Sequence, residues 1–434
     1  MTHARRTLGS SLAAIVALAG LTALGGAGLS ACGADTPAVS TEDAGATDDE
    51  DAGEPGIFCP PSGVSKGPWS LAMTRTSMKV RWEACRPGTD GRIYVRPEAG
   101  GAEREAPSTE KEYVLTERHV SLNVDSPPDE PGTFYMHDAA LGDLTPGTCY
   151  RYELGADRAL GGRFCTSRPD GGRVHWLTIG DTNALLGNAT RNVLSHHVPL
   201  GADFVLHGGD IQYYESVLET WAGWFPAMRP LLSLGAIQPA LGNHERETPD
   251  ELEGYSLRFF GDEAFGGRDM WYRFETGGVH FFVLDSDQPL APSTTQGAWL
   301  TAALADGARQ PGHRASIVVM HRAFMTCSDG NGLADERTAY ASIFAQSKVA
   351  LVIQAHIHGY ERFEADGITY VTSGGGGGRL SEIDANASRA ECTMRKAAGA
   401  FFHAVDFVVD GTELTGRAID DKGAVRDTFT VTLP

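Results

Sequence analysis

Five short apolar runs beyond residue 171 each end in polar residues of the types that bind metals. The runs are VHWLTIG, ADFVLHGG, AIQPALG, ASIVVMH and VALVIQAH. Stretches with helical character, such as TQGAWLTAALADGAR and ERTAYASIFAQSK, lie between some of them, and this alternation is typical of an α/β domain. Ligands bind at the carboxyl ends of strands in open α/β sheets, so we expect these polar residues to converge although they are far apart in sequence.

The polar residues at these ends include carboxylates, an amide, a phenol and imidazoles. In chain order the candidates are Asp181, Asp210, Tyr213, Asn243, His244, His321, His356 and His358. Each motif alone is a weak signal, because an Asp after two glycines is often a turn residue and HIH can be a surface pair. Since all five motifs occur in order, each after an apolar run, the sequence predicts a metal site.

The chain before residue 171 has a different pattern. Residues 57 to about 170 contain short alternating segments with turn signals and no helical period, which predicts an all-β sandwich. We therefore expect two folded domains, 57–170 and 171–434, and the second returns to strands in its tail. His196 and His197, in LSHHVPL, are expected on the surface of a helix.

The N-terminus has the pattern of an export signal, with Arg5 and Arg6 followed by an apolar stretch of small residues. The tetrapeptide LSAC resembles a bacterial lipobox, which implies cleavage before Cys32 and lipidation of its thiol. The alternative is a transmembrane anchor, since the stretch is nearly long enough to span a bilayer. We expect residues 1–31 to be a lipoprotein signal peptide, so that the mature chain is anchored in the periplasm or at the cell surface.

The segment that follows, residues 32–56, is rich in acids and has no base or aromatic residue. It cannot bury apolar surface, so we expect a disordered tether. The whole chain has a net charge of −20, which argues against nucleic acid or an anionic membrane surface as the main partner. A phosphorylated substrate remains possible, because a local metal site can override the overall field.

Six cysteines follow the tether, an even number that predicts three disulfides in an exported chain. Cys149 and Cys165 flank a hairpin-like stretch and are paired for that reason. The other four cysteines are paired so that the partners lie as near to each other along the chain as possible. The alternative is buried free thiols, which the export signal disfavours. The predicted disulfides are Cys59–Cys85, Cys149–Cys165 and Cys327–Cys392.

These motifs resemble those of the calcineurin-like metallophosphoesterases, and more closely those of the purple acid phosphatases. The family motifs GDxG, GDxxY, GNHE or GNHD, VxxH and GHxH are similar to GDTN, GDIQY, GNHE, VVMH and AHIH in this chain. The resemblance implies an α/β sandwich of two mixed sheets flanked by helices, preceded by a fibronectin type III-like sandwich. LGDLTPGTCYRYELG also resembles a segment of that fold, in which Trp82 would be the core tryptophan.

The resemblance implies that one ion, an Fe(III), is bound by Asp181, Tyr213 and His358, with Asp210 bridging to a second ion. Other metallophosphoesterases commonly have a His two residues after the first Asp, where this chain has Asn183. A phenolate can take that place, because a strongly Lewis-acidic ion deprotonates a phenol whose reference pKa is about 10. Tyr213 is therefore interpreted as a selector for a trivalent ion.

The second ion, a divalent Fe, Zn or Mn, would be bound by Asn243, His321 and His356 beside the bridging Asp210. Two such ions clamp a phosphate, and a metal-bound hydroxide attacks the phosphorus. His244 would stabilise the transition state or protonate the leaving oxygen. The resemblance thus implies an acid phosphatase that hydrolyses monoesters of phosphorylated small molecules.

Three departures from the family pattern affect the details of this interpretation. Asn183 stands where the family has a small residue, Ala355 replaces the first Gly of GHxH, and no His follows His321 where plant members carry candidate acids. A phosphodiesterase or nucleotidase is the alternative enzyme. A surface binding protein with an unused phosphatase fold is the alternative class, and the complete ligand set favours an enzyme.

Overall fold

The computed structural model describes residues 59–122, 126–214, 219–247, 251–264, 270–328, 332–384 and 389–434. The predicted signal peptide, the lipidation site at Cys32 and the acidic tether lie outside the described residues. Among the described residues we find no helix with the length and apolar character that a membrane span needs.

The first folded region is a sandwich of two four-stranded antiparallel sheets, as the alternating pattern predicts. Its strands are β1 (Val64–Leu71), β2 (Met78–Ala84), β3 (Arg92–Pro97), β4 (Arg104–Pro107), β5 (Thr109–Leu115), β6 (Gly132–Leu141), β7 (Cys149–Leu154) and β8 (Gly161–Cys165). The sheet orders are β1-β2-β6-β5 and β4-β3-β7-β8. Trp82 is fully buried and stacks on His137 with ring centroids 4.9 Å apart, so it is a core residue as expected.

The second folded region is an α/β sandwich whose helices flank two mixed sheets. Its strands are β9 (Val174–Ile179), β10 (Phe204–His207), β11 (Ala236–Pro239), β12 (Tyr272–Thr276), β13 (Val279–Val283), β14 (Ala315–Val319), β15 (Val349–Gln354), β16 (Tyr360–Ala365), β17 (Ile368–Ser373), β18 (Arg395–Gly399), β19 (His403–Asp410), β20 (Glu413–Asp420) and β21 (Val425–Thr432). Its helices are α1 (Ala189–His197), α2 (Trp221–Leu232), α3 (Leu257–Ala264), α4 (Thr295–Ala308) and α5 (Ala334–Gln346).

The two mixed sheets pack face to face. One has the order β11-β10-β9-β19-β20-β21 and the other β12-β13-β14-β15-β17-β16-β18. Trp176 and Phe407 of the first sheet stack with centroids 4.9 Å apart, and Phe281 of the second sheet meets Trp176 edge-on at 5.2 Å. Every residue of β9 and β15 is buried, which explains why the apolar runs in the sequence do not alternate.

The expectation for His197 is wrong, whereas His196 is exposed as expected. His197 is 1% exposed, and its ring nitrogens lie 2.7 Å from the carbonyl oxygen of Val193 and 3.1 Å from that of Ala404. The reason is that α1 packs this side of its last turn against β19.

The sandwich is fixed to the α/β region by buried polar contacts. Glu83 of β2 accepts a hydrogen bond from Lys66 Nζ at 2.6 Å and pairs with Arg258 of α3. Burial alone would raise the pKa of Glu83, but these two cations lower it below its ordinary value. Trp69 Nε1 also donates to the carbonyl oxygen of Phe259 at 3.1 Å.

The three predicted disulfides are confirmed. They join Cys59 to Cys85, Cys149 to Cys165 and Cys327 to Cys392. Three disulfides in one chain indicate an oxidising, extracytoplasmic environment. The last of them links the chain segment after β14 to the segment before β18.

Candidate metal centre

The strand order brings the ends of five apolar runs together. β9, β10 and β11 are parallel neighbours in one sheet, and Asp181, Asp210 and Asn243 follow their carboxyl ends. β14 and β15 are parallel neighbours in the other sheet, and His321 and His356 follow their ends. Because the two sheets face each other, both sets of side chains lie at one end of the sandwich.

Three of these residues have left-handed backbone conformations. The φ angles are 56° at Asp181, 47° at Asp210 and 68° at His356. Such conformations cost a residue with a Cβ about 1–3 kcal/mol, and they persist where the surrounding structure holds them, often at functional sites. Here they turn each side chain back over the end of its strand.

The first donor cluster consists of Asp181, Tyr213, His358 and Asp210. His358 Nε2 lies 3.3 Å from Asp181 Oδ1 and 2.9 Å from Tyr213 Oη. Donor atoms of Asp181, Asp210 and His358 all lie within 4.8 Å of one another. His358 Nδ1 donates to the carbonyl oxygen of Arg379 at 2.7 Å, so Nε2 is free to face the cluster.

The second donor cluster consists of Asn243, His321, His356 and again Asp210. His321 Nε2 lies 3.2 Å from Asn243 Oδ1, 3.2 Å from His356 Nδ1 and 3.3 Å from Asp210 Oδ2. His321 Nδ1 donates to the carbonyl oxygen of Gly208 at 3.0 Å, which again turns the other ring nitrogen to the cluster. Asp210 is therefore common to both clusters.

The spacing of these atoms fits metal coordination. Two donors at about 2.0–2.2 Å from one ion, at octahedral or tetrahedral angles, are about 2.8–3.5 Å apart. The individual contacts of His358 and His321 given above, from 2.9 to 3.3 Å, fall within this interval. Asp181 Oδ1 is a buried oxygen with no hydrogen-bond partner among the described residues, although His358 lies nearby, which is a further mark of a cation site.

The electric field at the site favours cations. Burial lowers the pKa of His321, but the Asp210 carboxylate outweighs it and raises the pKa to about 10. Asp181 acts in the same way on His358, whose pKa is about 9 despite the opposing effect of burial. In the absence of metal, protons on these histidines thus provide the positive charge that the two carboxylates attract.

The glycine-rich loop after β17 packs directly on the first cluster. A Cβ at Gly374 would lie 2.8 Å from Asp181 Oδ2, and one at Gly378 would lie 2.8 Å from His358 Cε1 and 3.0 Å from Tyr213 Oη. The backbone N–H of Gly378 donates to the carbonyl oxygen of Asp181 at 2.9 Å. Only glycine allows this close approach.

His244 lies at the rim of the centre, with its side chain 20% exposed. Its backbone N–H donates to Asp210 Oδ1 at 3.0 Å, and its ring meets the Tyr213 ring edge-on with centroids 4.3 Å apart. Nδ1 lies 2.7 Å from Glu247 Oε1 and Nε2 lies 3.9 Å from Asp210 Oδ2. Nδ1 therefore faces Glu247, and Nε2 is the nitrogen nearer the shared aspartate.

Tyr214 points away from the two clusters. It is buried, and its hydroxyl donates to Tyr255 Oη at 2.7 Å. Asn183 is also buried, and its Oδ1 has no hydrogen-bond partner among the described residues. Asn183 thus supplies a second partnerless oxygen in the loop that carries Asp181.

Glu245 was missed by the sequence analysis. It is 2% exposed, and its two oxygens accept hydrogen bonds from the backbone N–H groups of Asp210 at 3.0 Å, Ile211 at 2.7 Å and Gly242 at 2.7 Å. It therefore fastens the loop after β10 to the loop after β11. The available signal was the fourth letter of GNHE, an acid in a buried turn.

Arg322 and Asp287 were also missed. Arg322 directly follows His321, and its Nε donates to Asp287 Oδ1 at 2.6 Å. Asp287 belongs to the DSD segment after β13, where the apolar run VHFFVL ends in polar residues as the other runs do. That polar end was the available signal.

Two family models match the chain. The model of the purple acid phosphatase N-terminal domain matches residues 68–169, and the model of the calcineurin-like phosphoesterases matches residues 177–360. The matched segments coincide with the β-sandwich and with most of the α/β region, and the second contains all eight candidate residues.

Curated proteins similar to this chain include purple acid phosphatase 22 of Arabidopsis thaliana, 27% identical over 264 residues, and the phosphoenolpyruvate phosphatase of Allium cepa, 29% identical over 265 residues. The matches cover 56% and 55% of this chain and 59% and 53% of those proteins. The chain thus spans a little over half the length of these relatives.

Among solved structures, a purple acid phosphatase from yellow lupin (Lupinus luteus) seeds has a similar fold. Its TM-score is 0.65 at 21% sequence identity, and the match covers 84% of this chain and 74% of that chain. At this identity the likeness supports the architecture, a β-sandwich followed by two mixed sheets with helices.

Proposed function

Because this chain belongs to the calcineurin-like phosphoesterases and carries a purple acid phosphatase N-terminal domain, we propose that it hydrolyses phosphate monoesters of small molecules. One observation carries the proposal. Two donor clusters share the Asp210 carboxylate, and their separations match those of donors around metal ions. A phosphate can then be held between two positive charges in a chain whose net charge is −20.

We assign the metals from the chemistry of the donors. A phenolate is a hard, anionic ligand that suits a trivalent ion, so Fe(III) is proposed for the cluster of Asp181, Tyr213 and His358. The cluster of Asn243, His321 and His356 has neutral donors and suits a divalent Fe, Zn or Mn. Ions bound there would neutralise the phosphate and lower the pKa of a bound water.

The protein's own residues would orient and protonate the substrate. We propose that His244 donates a proton from Nε2 to the leaving oxygen, because Nδ1 is held 2.7 Å from Glu247 Oε1 and the ring is 20% exposed at the rim. Glu245 would keep Asp210 in place between the clusters through its three backbone hydrogen bonds.

We further propose an exported lipoprotein that is anchored through Cys32, with a sandwich domain of residues 57–170 and a catalytic domain of residues 171–434. Three disulfides support export. The segments matched by the two family models, 68–169 and 177–360, support this division of the chain.

The test combines metal content with a substrate comparison. Purified protein should contain about two metal ions per chain and should hydrolyse p-nitrophenyl phosphate faster than bis(p-nitrophenyl) phosphate across about pH 4–9. Asp210→Asn keeps the side-chain shape but removes the shared charge, and it should lose both metal and activity. Glu364→Gln, an exposed change on β16, is the control that should keep both.

Two results would contradict the proposal in different ways. Faster hydrolysis of the diester would favour a phosphodiesterase. A fully metal-loaded protein that hydrolyses neither ester would favour a binding protein that keeps the fold without the reaction.

A further inference from the structure

Arg322 is a cationic side chain in contact with the second cluster. Its Nε donates to Asp287 Oδ1 at 2.6 Å, and its backbone N–H donates to Ser286 Oγ at 2.8 Å. Nη1 lies 3.3 Å from His356 Nε2. The side chain is 28% exposed, so Arg322 is held by these contacts but is not sealed from solvent.

The contact with His356 differs from those of the other cluster histidines. The outer nitrogens of His321 and His358 donate to the backbone carbonyl oxygens of Gly208 and Arg379. Their inner nitrogens are therefore the ones that can give a lone pair to a metal ion when it displaces the proton. The outer nitrogen of His356 instead faces Arg322, which is a donor with no lone pair to offer.

This contact conflicts with metal binding at His356. A neutral imidazole has one N–H and one lone pair, and Nδ1 is the nitrogen turned toward the cluster, 3.2 Å from His321 Nε2. Once Nδ1 gives its lone pair to a metal, Nε2 carries the proton and cannot accept from Arg322. The two N–H groups would then face each other, and Nη1 would need another acceptor.

We propose that Arg322 binds the phosphate group of the substrate when the second cluster holds its metal ion, with Asp287 as the positioning residue. This inference rests on the proposed function. A guanidinium has several parallel N–H donors that match phosphate oxygens, and an oxyanion at the cluster is the acceptor that Nη1 lacks. Because the guanidinium is a rigid plane that Asp287 holds through Nε, Nη1 stays at the edge of the second cluster, where it lies 3.3 Å from His356 Nε2.

A second arginine at this edge is bonded differently. Arg246 pairs through a terminal nitrogen, Nη2, with Asp285, a carboxylate that is fully buried. Asp287 is 16% exposed and holds Arg322 through Nε, which leaves the terminal nitrogens of Arg322 outside that ion pair. The DSD segment thus holds both arginines, but only Arg322 by the nitrogen nearest its side-chain carbons.

The experiment measures phosphate and metal binding separately. Metal-loaded wild type, Arg322→Gln and Arg322→Lys are titrated with inorganic phosphate in a calorimeter, and the metal-free proteins are titrated with Zn²⁺. We expect Arg322→Gln to weaken phosphate binding about 10- to 100-fold, which is the size of one charged hydrogen-bond pair, and Arg322→Lys to weaken it less. Arg322→Gln should bind Zn²⁺ at least as tightly as wild type, because it removes a cation and a competing contact beside His356.

Two comparisons complete the design. Asp287→Asn should weaken phosphate binding less than Arg322→Gln does, since it loosens the guanidinium without removing it. Arg273→Gln is the control, because Arg273 forms a similar pair with Asp306 at 2.7 Å outside the two clusters, and it should change neither titration.

We expect Arg322→Gln to bind phosphate more weakly and Zn²⁺ at least as tightly. A purely structural role of Arg322 would instead lower both affinities. If Arg322→Gln binds phosphate as tightly as wild type, or if it loses Zn²⁺ affinity together with phosphate affinity, the inference is overturned. The calorimetric measurement does not depend on turnover. A wild type that binds phosphate through Arg322 but hydrolyses no ester would contradict the proposed function and leave the role of Arg322 supported.

Discussion

Glu245 offers the most quantitative test of how the centre is held. The substitution Glu245→Gln keeps the size of the side chain and replaces one carboxyl oxygen with an NH₂ group. In the structure Oε1 accepts from Ile211 N, and Oε2 accepts from both Asp210 N and Gly242 N. The amide oxygen of the variant side chain can take the place of Oε2 and accept from both Asp210 N and Gly242 N. The NH₂ group must then face the N–H of Ile211.

The cost follows from this geometry. One hydrogen bond is lost, worth about 0.5–1.5 kcal/mol, and one buried N–H of Ile211 is left facing another donor, worth about 1–3 kcal/mol. Partial relaxation of the loop reduces the sum. We therefore expect the free energy of unfolding to fall by about 1–3 kcal/mol in Glu245→Gln at a pH where the wild-type carboxyl group is protonated.

The assay is urea unfolding of the metal-free protein at about pH 6. Burial and the Asp210 carboxylate raise the pKa of Glu245 to about 8, so at this pH the wild-type side chain is protonated, and the comparison of a neutral carboxyl group with a neutral amide is free of the cost of burying a charge. Glu364→Gln is the control, because its carboxylate is 52% exposed and its ion pair should contribute less than about 1 kcal/mol.

Metal binding provides the second measurement for the same variant. Because Glu245 holds the backbone of Asp210, the variant should bind metal more weakly than wild type even where it is fully folded. A loss of stability no larger than that of the control, with unchanged metal affinity, would refute the argument that Glu245 fastens the two loops together.

Three further predictions concern the candidate residues themselves. His356→Ala or Asn243→Ala should abolish phosphatase activity, while the circular dichroism spectrum remains that of the folded chain. Near-normal turnover in either variant would contradict the assignment of the second cluster. His244→Ala should keep both metals and lower the rate by about 10²–10⁴-fold; metal analysis that finds an ion missing would make His244 a ligand instead. Tyr213→Phe should remove the visible absorption band of an iron-loaded protein and reduce its iron content, whereas Tyr214→Phe should change neither, and a band that survives in Tyr213→Phe would exclude the phenolate as its source.

The sequence by itself determined where the buried strands lie and which strand ends carry the candidate ligands. Apolar runs are local features, and β9, β10, β14 and β15 form where the runs predict buried strands. The polar residues that follow them are local features too. Tyr213, three residues after Asp210, contacts His358 of the first cluster, whereas Tyr214 packs on Tyr255.

Contacts between distant segments were decided only by the tertiary structure. The sequence places His356 among the candidate ligands, but only the fold decides that Nδ1 faces the cluster and that Nε2 faces Arg322, 34 residues earlier. In the same way, Gly378 N donates to the carbonyl oxygen of Asp181 far back along the chain. His197 illustrates the same limit, because a helix pattern does not reveal which neighbour covers its last turn.

The physical reason is the range of the forces involved. Periodicity and turn chemistry act over a few residues and can be read along the chain. The orientation of an imidazole depends on which donor or acceptor the packed sheets bring to its outer nitrogen. A chain that carries every candidate ligand in order therefore predicts a metal centre, whereas the atoms that bind the ions and the arginine that faces them are set by the packing of one sheet against the other.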